Sequence, residues 1–300
     1  MKLKRTVYGI FGFIKFSKGY YMILIKDIGL KASIGGHAIY EIKQTELLPI
    51  FESKRSFGFR KSTETKYLEL FNIMDLSKEF YFSYSYDLSN TVQNNTFIDS
   101  KETNQPKKYE TYISAEPKCT SNANFTHSMF SWNYILSSEL PTQWRLPIIH
   151  GYIGSHSFEK LGRQIDIILI GRRSRFYAGT RYLKRGIHDN GYVANHVETE
   201  QILVEPNSFV NIKTQGRISS FVQVRGSIPL FWSQTITTKM VTPKPDIVLG
   251  RFDSTFEPAK KHFLHLFKQY NSPIICLNLV KKEEKKEREK PLGEAYHECM

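Results

Sequence analysis

The sequence predicts a mixed α and β fold, with strands dominating the first half and an α/β unit near the end. In the first half, aromatic and β-branched runs of strand length are separated by glycine-containing turns. Near the end, a segment with apolar residues at helical spacing is followed directly by an apolar run of strand length. A chain of 300 residues with 40% apolar residues can bury one large core or two modest ones.

The first half is predicted to begin with a hairpin. Ser17-Lys18-Gly19 supplies residues that turns favour, and Gly35-Gly36 precedes a further predicted strand. Tyr67 and Phe71 belong to an apolar set at helical spacing. The elements predicted here are a hairpin of strands 7–16 and 20–25, a strand at 37–42, a helix at 64–74 and a strand at 80–86 with one aromatic face.

The middle of the chain is less regular. Residues 90–124 are polar and lack periodicity, which predicts a loop or an insertion. Residues 132–144 resume a core-like sequence with two tryptophans. Two short strands are then predicted, a buried one at 166–170 and another at 221–224.

The α/β unit near the end is the strongest helical prediction. Ser254 and Glu257 have the spacing of a capping box, and apolar residues then line one helix face to residue 270. Residues 274–280 are predicted to form a strand covered on both faces, so that Cys276 would be a core residue. Residues 281–290 carry mixed charge and predict a solvated helix.

The net charge limits the classes of partner without identifying one of them. Lysine and arginine outnumber aspartate and glutamate by 42 to 29, which gives +13. Such a surface favours nucleic acid, an anionic membrane or a phosphorylated ligand. The sequence contains no recognisable nucleic-acid module, so we expect no nucleic acid as a partner.

Cysteine and histidine patterns argue against several chemistries. Three scattered cysteines do not suggest a disulfide framework and favour a reducing compartment. The nine histidines show no zinc spacing, and the sequence has no Walker, dinucleotide or serine-nucleophile motif. We therefore expect no metal and no cofactor. No apolar run approaches the length of a spanning helix, so any membrane contact is expected to be peripheral.

A dense cationic run is the strongest candidate for binding. It contains Arg172, Arg173, Arg175, Arg181, Lys184 and Arg185, with no acidic residue among them. Arginine suits bidentate contacts with phosphate, and lysine acts as a point charge. A solvated surface, or structural pairing with Glu198 and Glu200, explains the run equally well. Gly179, Gly186 and Gly191 allow either close approach to a ligand or simple turns.

The cysteines do not fit a cysteine phosphatase loop. Such a loop needs an Arg six positions after a Cys, because the Arg clamps the phosphoryl group beside the thiolate. Phe125 stands six positions after Cys119, and Lys282 six after Cys276. Cys299 is followed only by Met300.

Ordered blocks along nearly the whole chain are similar to one known family. In the first half they are YGIFGFIKFSKGYYMILI, SIGGHAIYEI, YLELFNIMDLSKEFYFSYSYDLSNTVQ, MFSWNY and LPIIHGYIG. In the second half they are GRRSRFYAGTRYLKRGIHDNGYVANHVETEQIL, SFVQVRGSIPLFWSQ and KPDIVLGRFDSTFEPAKKHFLHLFKQYNSPIICLNLVK. The chain resembles the Sac-domain phosphoinositide phosphatases, which act through a cysteine-centred phosphate loop. It looks most like the branch that removes the 5-phosphate of phosphatidylinositol 3,5-bisphosphate.

The resemblance implies a Sac phosphatase fold of two subdomains. A β-rich N-terminal Sac subdomain would span residues 1–149, with the polar insertion inside it. Residues 150–300 would form an incomplete α/β catalytic subdomain without the Cys-x5-Arg loop. The residues expected to line or brace an inositol phosphate site are Arg181, Lys184, Arg185, Asn195, Glu198 and Arg225.

The resemblance also implies a mechanism and partners. The family's Arg-Thr-Asn-Cys signature lies downstream of the stretch that corresponds to 278–281, so we expect this chain to end before its nucleophile and to be inactive. The full-length enzyme would form a phosphocysteine without metal. Partners would be phosphoinositide headgroups on endosomal or vacuolar membranes, a lipid kinase and a helical-repeat scaffold. The alternative is a non-catalytic subunit that binds phosphoinositides or assembles with these partners.

Overall fold

The computed structural model describes residues 6–50, 63–96, 127–180, 183–205, 217–234, 245–251, 253–281 and 288–300. Within them lie an eight-stranded sheet, a two-stranded sheet and three α-helices of ten residues or more, and residues 92–96 are also helical. The strands are β1 Gly9–Lys15, β2 Tyr20–Ile34, β3 His37–Pro49, β4 Phe80–Phe82, β5 Ile149–Lys160, β6 Arg163–Arg173, β7 Val197–Glu205, β8 Arg217–Arg225, β9 Trp232–Gln234 and β10 Ile247–Leu249. The helices are α1 Thr63–Asn72, α2 Glu257–Tyr270 and α3 Lys290–Cys299, with a short 3-10 helix at Thr142–Trp144.

The large sheet is ordered as the chain is, since each strand from β1 to β8 lies beside the next one along the sequence. The pairs from β1 to β6 are antiparallel. The turn at Gly35-Gly36 joins Ile34 to its register partner His37. The predicted hairpin turn joins β1 to β2, but β2 and β3 continue beyond their predicted ends at residues 25 and 42, to Ile34 and Pro49. The mixed α and β fold class is confirmed.

Two buried clusters form the core of this sheet. All three residues of β4 are buried, and Tyr81 belongs to one cluster while Phe80 and Phe82 belong to the other, so the sheet is covered on both faces at this strand. One cluster contains Ala32, Ile34, Ile39, Tyr81, Tyr86, Leu88, Ile149, Ile153, Ile168, Ile170, Ile202 and Val204. The other contains Phe11, Ile23, Ile25, Ile42, Phe80, Phe82, Leu146 and Ile148.

A buried asparagine organises residues 127–148, which have little regular structure. The Asn133 amide donates to the carbonyls of Phe11 at 2.9 Å and Leu146 at 2.8 Å. Its side-chain oxygen accepts from the Ile148 backbone N–H at 3.0 Å. One side chain thus satisfies backbone groups that a strand would otherwise pair.

The chain divides into two compact units, and each unit consists of two separate ranges of residues. Unit 1 is Met1–Arg172 with Thr199–Gln223 and holds both core clusters. Unit 2 is Arg173–Glu198 with Val224–Met300. The predicted division of the family's subdomains between residues 149 and 150 stays a prediction.

Several predictions about elements are wrong in extent or environment. The strand predicted at 80–86 ends at Phe82, although aromatic residues continue to Tyr86. In the core-like stretch, Ile135 and Trp144 are 66% and 61% exposed. Helix α2 forms as predicted, but its N-cap is Phe256 and no side chain caps it, so the capping box is wrong.

The apolar run at 274–280 is the clearest disagreement. It has no regular strand hydrogen bonding, and Ile275, Leu277 and Leu279 are 93%, 81% and 77% exposed. Cys276 is exposed rather than buried. An apolar run becomes a buried strand only when neighbouring strands pair with it, and the described residues provide none.

Two further predictions lie largely outside the described residues. The predicted insertion at 90–124 is described only as far as residue 96. In the charged run predicted to be helical, residues 282–287 are outside the description, and helix α3 begins at Lys290.

Candidate anion-binding site

The cationic run begins with an arginine that is structural. The Arg172 guanidinium is fully buried in unit 1 and meets the buried Glu200 carboxylate at 2.6 Å. It also donates to the carbonyls of Leu88 and Asn90. Glu200 in turn accepts from the Val92 backbone N–H at 2.9 Å. The structural-pairing interpretation is thus correct for Arg172 and Glu200.

Of the cations that follow it, Arg175, Lys184 and Arg185 lie in unit 2, in a loop whose two ends are joined by a backbone hydrogen bond. The Ser174 backbone N–H donates to the His196 carbonyl at 2.9 Å. Inside the loop, Ile187 and Val193 form an isolated antiparallel bridge, and the His188 N–H donates to the Tyr192 carbonyl. These backbone bonds fix a compact excursion from Ser174 to His196, which we call the basic loop.

Arg185 is held in place by strand β9. Its Nε donates to the Gln234 side-chain oxygen at 2.8 Å, and its guanidinium lies 5.3 Å from the centre of the Trp232 ring. The Gln234 amide nitrogen donates to the Pro245 carbonyl at 3.2 Å, which sets the orientation of that amide. A guanidinium fixed by a ring and an amide loses less freedom on binding an anion than a solvated one.

Lys184 and Asn195 are brought together beside Arg185. The Asn195 amide donates to the Lys184 carbonyl at 3.1 Å. The exposed Lys184 ammonium lies 4.8 Å from the Tyr177 ring centre. A Cβ at Gly179 would come 2.0 Å from Lys184 Cγ, so glycine there makes room for this lysine. Asn195 acts as a brace of the basic loop.

The remaining predicted site residues do not join this cluster in the same way. Glu198 is fully buried, and its carboxylate accepts hydrogen bonds from the Tyr270 hydroxyl and from Gln269 Nε2 of helix α2. It therefore anchors α2. Arg225 is exposed at the end of β8. Arg181 lies outside the described residues.

Helix α2 packs on the tip of the basic loop. A Cβ at Gly191, whose φ is +83°, would come 2.7 Å from Lys261 Cβ, so the helix approaches the backbone closely. His262 Nδ1 lies 3.2 Å from the Gly191 carbonyl oxygen. Burial lowers the pKa of His262 to about 4, and burial also lowers the pKa of His265. Both imidazoles are partly buried, and the lowered pKa values favour their neutral forms.

An aromatic stack joins the same helix to the base of the basic loop. The Phe176 and Tyr192 rings lie 4.3 Å apart and nearly parallel, and His265 stacks on Tyr192 at 5.4 Å. The Arg175 guanidinium lies 4.3 Å from the Phe176 ring centre. Cations in unit 2 are thus repeatedly placed on aromatic faces, which holds them at the surface.

Sequence reasoning missed Trp232 and Gln234 as supports of Arg185. Both belong to the block SFVQVRGSIPLFWSQ, but no spacing rule links residue 185 to residue 234. Tyr270 and Gln269 were likewise assigned only to the helix, although they hold Glu198. Long-range pairs of this kind need the folded chain.

The described cysteines lack the surroundings of a nucleophile. Burial raises the pKa of the Cys299 thiol, which opposes thiolate formation. Tyr296 lies beside Cys276, and burial followed by that neighbouring thiol raises the pKa of Tyr296 to about 12. Cys119 lies outside the described residues. Cys299 therefore lacks the activated thiolate that a covalent phosphatase uses.

The described part of the chain also lacks two other kinds of feature. Its His, Cys, Asp and Glu side chains form no group that could hold a metal ion. Its helices include none that is both long and apolar enough to cross a membrane.

Comparison with known proteins decides the family. A family model described as the SacI homology domain matches residues 8–300. The chain belongs to the SacI homology domain family. The Sac resemblance inferred from the sequence blocks is thereby confirmed, and the match continues through the final ten residues.

Curated relatives support the Sac assignment. Phosphatidylinositol-3-phosphatase SAC1 of Arabidopsis thaliana is 38% identical over 97% of this chain and 30% of its own length. Phosphoinositide phosphatase SAC3 of the same plant is 39% identical over 99% of this chain and 34% of its own length. The polyphosphoinositide phosphatase of Schizosaccharomyces pombe is 38% identical over 99% of this chain and 34% of its own length. This Sac-domain chain therefore spans about a third of the length of these relatives.

Proposed function

We propose that this chain is the Sac-domain part of a phosphoinositide phosphatase whose substrate is phosphatidylinositol 3,5-bisphosphate, from which the 5-phosphate is removed. The observation that carries the proposal is the fixed pair of cations in the basic loop. Arg185 is held by Gln234 and Trp232, and Lys184 projects beside it over Tyr177. Adjacent arginine and lysine side chains suit the phosphate groups of an inositol headgroup.

The chemistry proposed for the full-length enzyme is phosphoryl transfer through cysteine. A thiolate would attack phosphorus and form an S–P bond while the bond to the inositol oxygen breaks, and that oxygen would take a proton as it leaves. Water would then hydrolyse the phosphocysteine and release phosphate. Within this chain, no cysteine is followed by Arg at the sixth position. We therefore propose that the 300 residues bind the headgroup without hydrolysing its phosphate ester.

A non-catalytic role is the second candidate, and the same cysteine spacing favours it. In that role the chain would bind phosphoinositides, or join a helical-repeat scaffold and a lipid kinase, on endosomal or vacuolar membranes. Release of phosphate from phosphatidylinositol 3,5-bisphosphate by the purified chain, abolished by cysteine substitution, would contradict the inactive assignment.

Headgroup binding is tested by flotation with vesicles that contain or lack phosphatidylinositol 3,5-bisphosphate. We expect Lys184→Glu/Arg185→Glu to weaken the phosphoinositide-dependent binding by about tenfold or more, because two attractions become repulsions. The matched control is Lys160→Glu/Arg163→Glu, which reverses two exposed cations of the β5–β6 hairpin. Equal losses in the two variants would mean that net charge, rather than the basic loop, binds the vesicle.

A further inference from the structure

Two arginines of the cationic run are held by side chains of different charge. Arg172 meets the Glu200 carboxylate at 2.6 Å. Arg185 donates from Nε to the side-chain oxygen of Gln234 at 2.8 Å. A carboxylate cancels the charge of the guanidinium that it binds, whereas a neutral amide accepts the same kind of hydrogen bond and leaves that charge in place. The contact with Gln234 therefore fixes Arg185 without neutralising it.

Gln234 is itself fixed, so it can set the direction of Arg185. Its amide nitrogen donates to the Pro245 carbonyl at 3.2 Å, which decides which end of the amide faces Arg185. The Gln234 backbone pairs with Ile247 in the ladder between β9 and β10. An amide that is held at its backbone and at its nitrogen presents its oxygen in a defined direction.

The backbone beside Arg185 is fixed by the residues that lead into strand β9. The Ile187 backbone N–H donates to the Leu230 carbonyl at 3.0 Å. Gly186 has a φ of +71°, and a Cβ there would come 2.4 Å from the Leu230 oxygen and 2.9 Å from the Trp232 nitrogen. This close approach needs glycine, and it places Arg185 directly beside β9.

The aromatic ring that supports Arg185 is fixed as well. Trp232 Nε1 donates to the Ile228 carbonyl at 3.1 Å, and the Arg185 guanidinium lies 5.3 Å from the Trp232 ring centre. Arg185 is thus held at its backbone, against a ring and at Nε. Nε carries one of the five donors of a guanidinium, and the Nη groups carry the other four, which suit bidentate contact with a phosphate.

We propose that Gln234 is a positioning residue of the anion site. By holding Nε with a neutral acceptor, it directs the Nη groups and the positive charge of Arg185 towards one phosphate of the headgroup. This role rests on the proposed function, because it concerns the same cation. Gln234 acts through Arg185 and does not itself touch the ligand. Supporting hydrogen bonds of this kind raise affinity because the binding side chain is ordered before the ligand arrives.

A merely structural role for Gln234 makes a different prediction. If Gln234 only stabilised unit 2, a carboxylate in its place would serve equally well, because it would pair with Arg185 as Glu200 pairs with Arg172. If Gln234 positions Arg185 for an anion, the carboxylate would cancel the charge on which binding depends. Gln234→Glu therefore separates the two roles.

The test is calorimetric titration of the 300-residue chain with soluble short-chain phosphatidylinositol 3,5-bisphosphate. Gln234→Glu should weaken binding by about tenfold or more, while the urea midpoint of unfolding stays the same or rises. The matched control is Gln201→Glu, which makes the same change of charge at an exposed position of β7. It should bind within about twofold of the unmodified chain, because exposed charges at a distance are screened.

A second variant removes the acceptor without adding charge. Gln234→Leu should weaken binding by about fivefold, because Arg185 regains side-chain freedom that binding must then remove. Arg185→Lys keeps the cation but has no Nε–H for Gln234 to accept. When Arg185 is already lysine, Gln234→Leu should change the affinity by less than about twofold, since the two residues act as one unit.

The possible results distinguish the role of Gln234 from the proposed function. Unchanged affinity of Gln234→Glu, an equal loss in Gln201→Glu, or a Gln234→Leu loss that is the same with arginine and with lysine at position 185 would each overturn the positioning role. A urea midpoint that falls together with the affinity in both Gln234 variants would show a structural role instead. If Arg185→Lys weakens binding and the Gln234 variants do not, the anion site stands and the role of Gln234 is wrong. If the unmodified chain does not bind the lipid, the proposed function fails, and the positioning role fails with it.

Discussion

Apolar runs of the same kind have opposite environments in the two units. In unit 1, Ile153 and Ile170 face each other across β5 and β6 and are fully buried. In unit 2, Ile275 and Leu277 belong to an equally apolar run and are 93% and 81% exposed. The difference is pairing: the first two lie in a hydrogen-bonded ladder, and residues 274–280 do not. The hydrophobic effect favours burial of an apolar run, and pairing with a neighbouring strand decides whether the run is buried.

The cations between residues 172 and 185 differ between the units in the same sense. Unit 1 buries Arg172 and Glu200 together with every partner they need. Unit 2 keeps Lys184 at the surface over an aromatic ring and braces Arg185 from one side. A cationic run in one sequence thus divides into a structural part and a part suited to an external anion.

The buried pair provides the largest expected effect. Arg172→Met should lower the free energy of unfolding by about 3 to 5 kcal/mol, because it leaves the Glu200 carboxylate buried without its cation. Urea denaturation followed by circular dichroism measures the loss. Arg163→Met, at the exposed start of the same strand, should change it by less than about 0.5 kcal/mol. Similar losses from the two variants would remove the distinction between structural and surface cations.

The contrast between apolar runs predicts a second, somewhat smaller difference. Ile153→Ala should lower the free energy of unfolding by about 3 kcal/mol, because it opens a cavity in the larger core cluster. Leu277→Ala should cost less than about 0.5 kcal/mol, since the side chain is already 81% exposed. The same denaturation experiment compares them. A large cost at Leu277 would mean that the run at 274–280 is buried in solution.

Acid should weaken both units through a partly buried histidine. Burial lowers the pKa of His127 in unit 1 and of His262 in unit 2 to about 4, from an ordinary value of 6.5. Between these values the unfolded chain binds a proton that the folded chain does not. The stabilisation is therefore complete above about pH 6.5 and is lost as the pH falls towards 4.

At about pH 5, protonation of each histidine in the unfolded chain should lower the free energy of unfolding by about 2 kcal/mol relative to pH 7. His262→Gln should reduce the pH dependence of protection in helix α2, and His127→Gln should do so in the sheet of unit 1. Hydrogen exchange at the two pH values measures each region separately. If the pH dependence were the same in both variants as in the unmodified chain, the buried neutral imidazoles would not be its cause.

Much of the fold could be predicted because its signals are local. The turn at Ser17-Lys18-Gly19 and the helical spacing around Phe71 involve residues within a few positions of each other. Helix α2 was predicted for the same reason. The capping box failed because Phe256 begins the helix in a left-handed conformation, without a cap from Ser254.

The candidate site could be predicted only in part. The sequence predicted that cations cluster between residues 172 and 185, but it could not separate Arg172 from Arg185. Arg172 meets a carboxylate 28 positions away, and Arg185 meets an amide 49 positions away. No local pattern contains either pair.

The sequence by itself determined the fold class, helix α2 and the Sac family, because these depend on local spacing and on ordered blocks of residues. Only the tertiary structure decided which cations are buried, which cations lie at the surface of the basic loop, and which apolar side chains remain in solvent. Burial is a property of what lies across from a residue, and in this chain the decisive neighbours are brought together by the sheet and by the packing of helix α2.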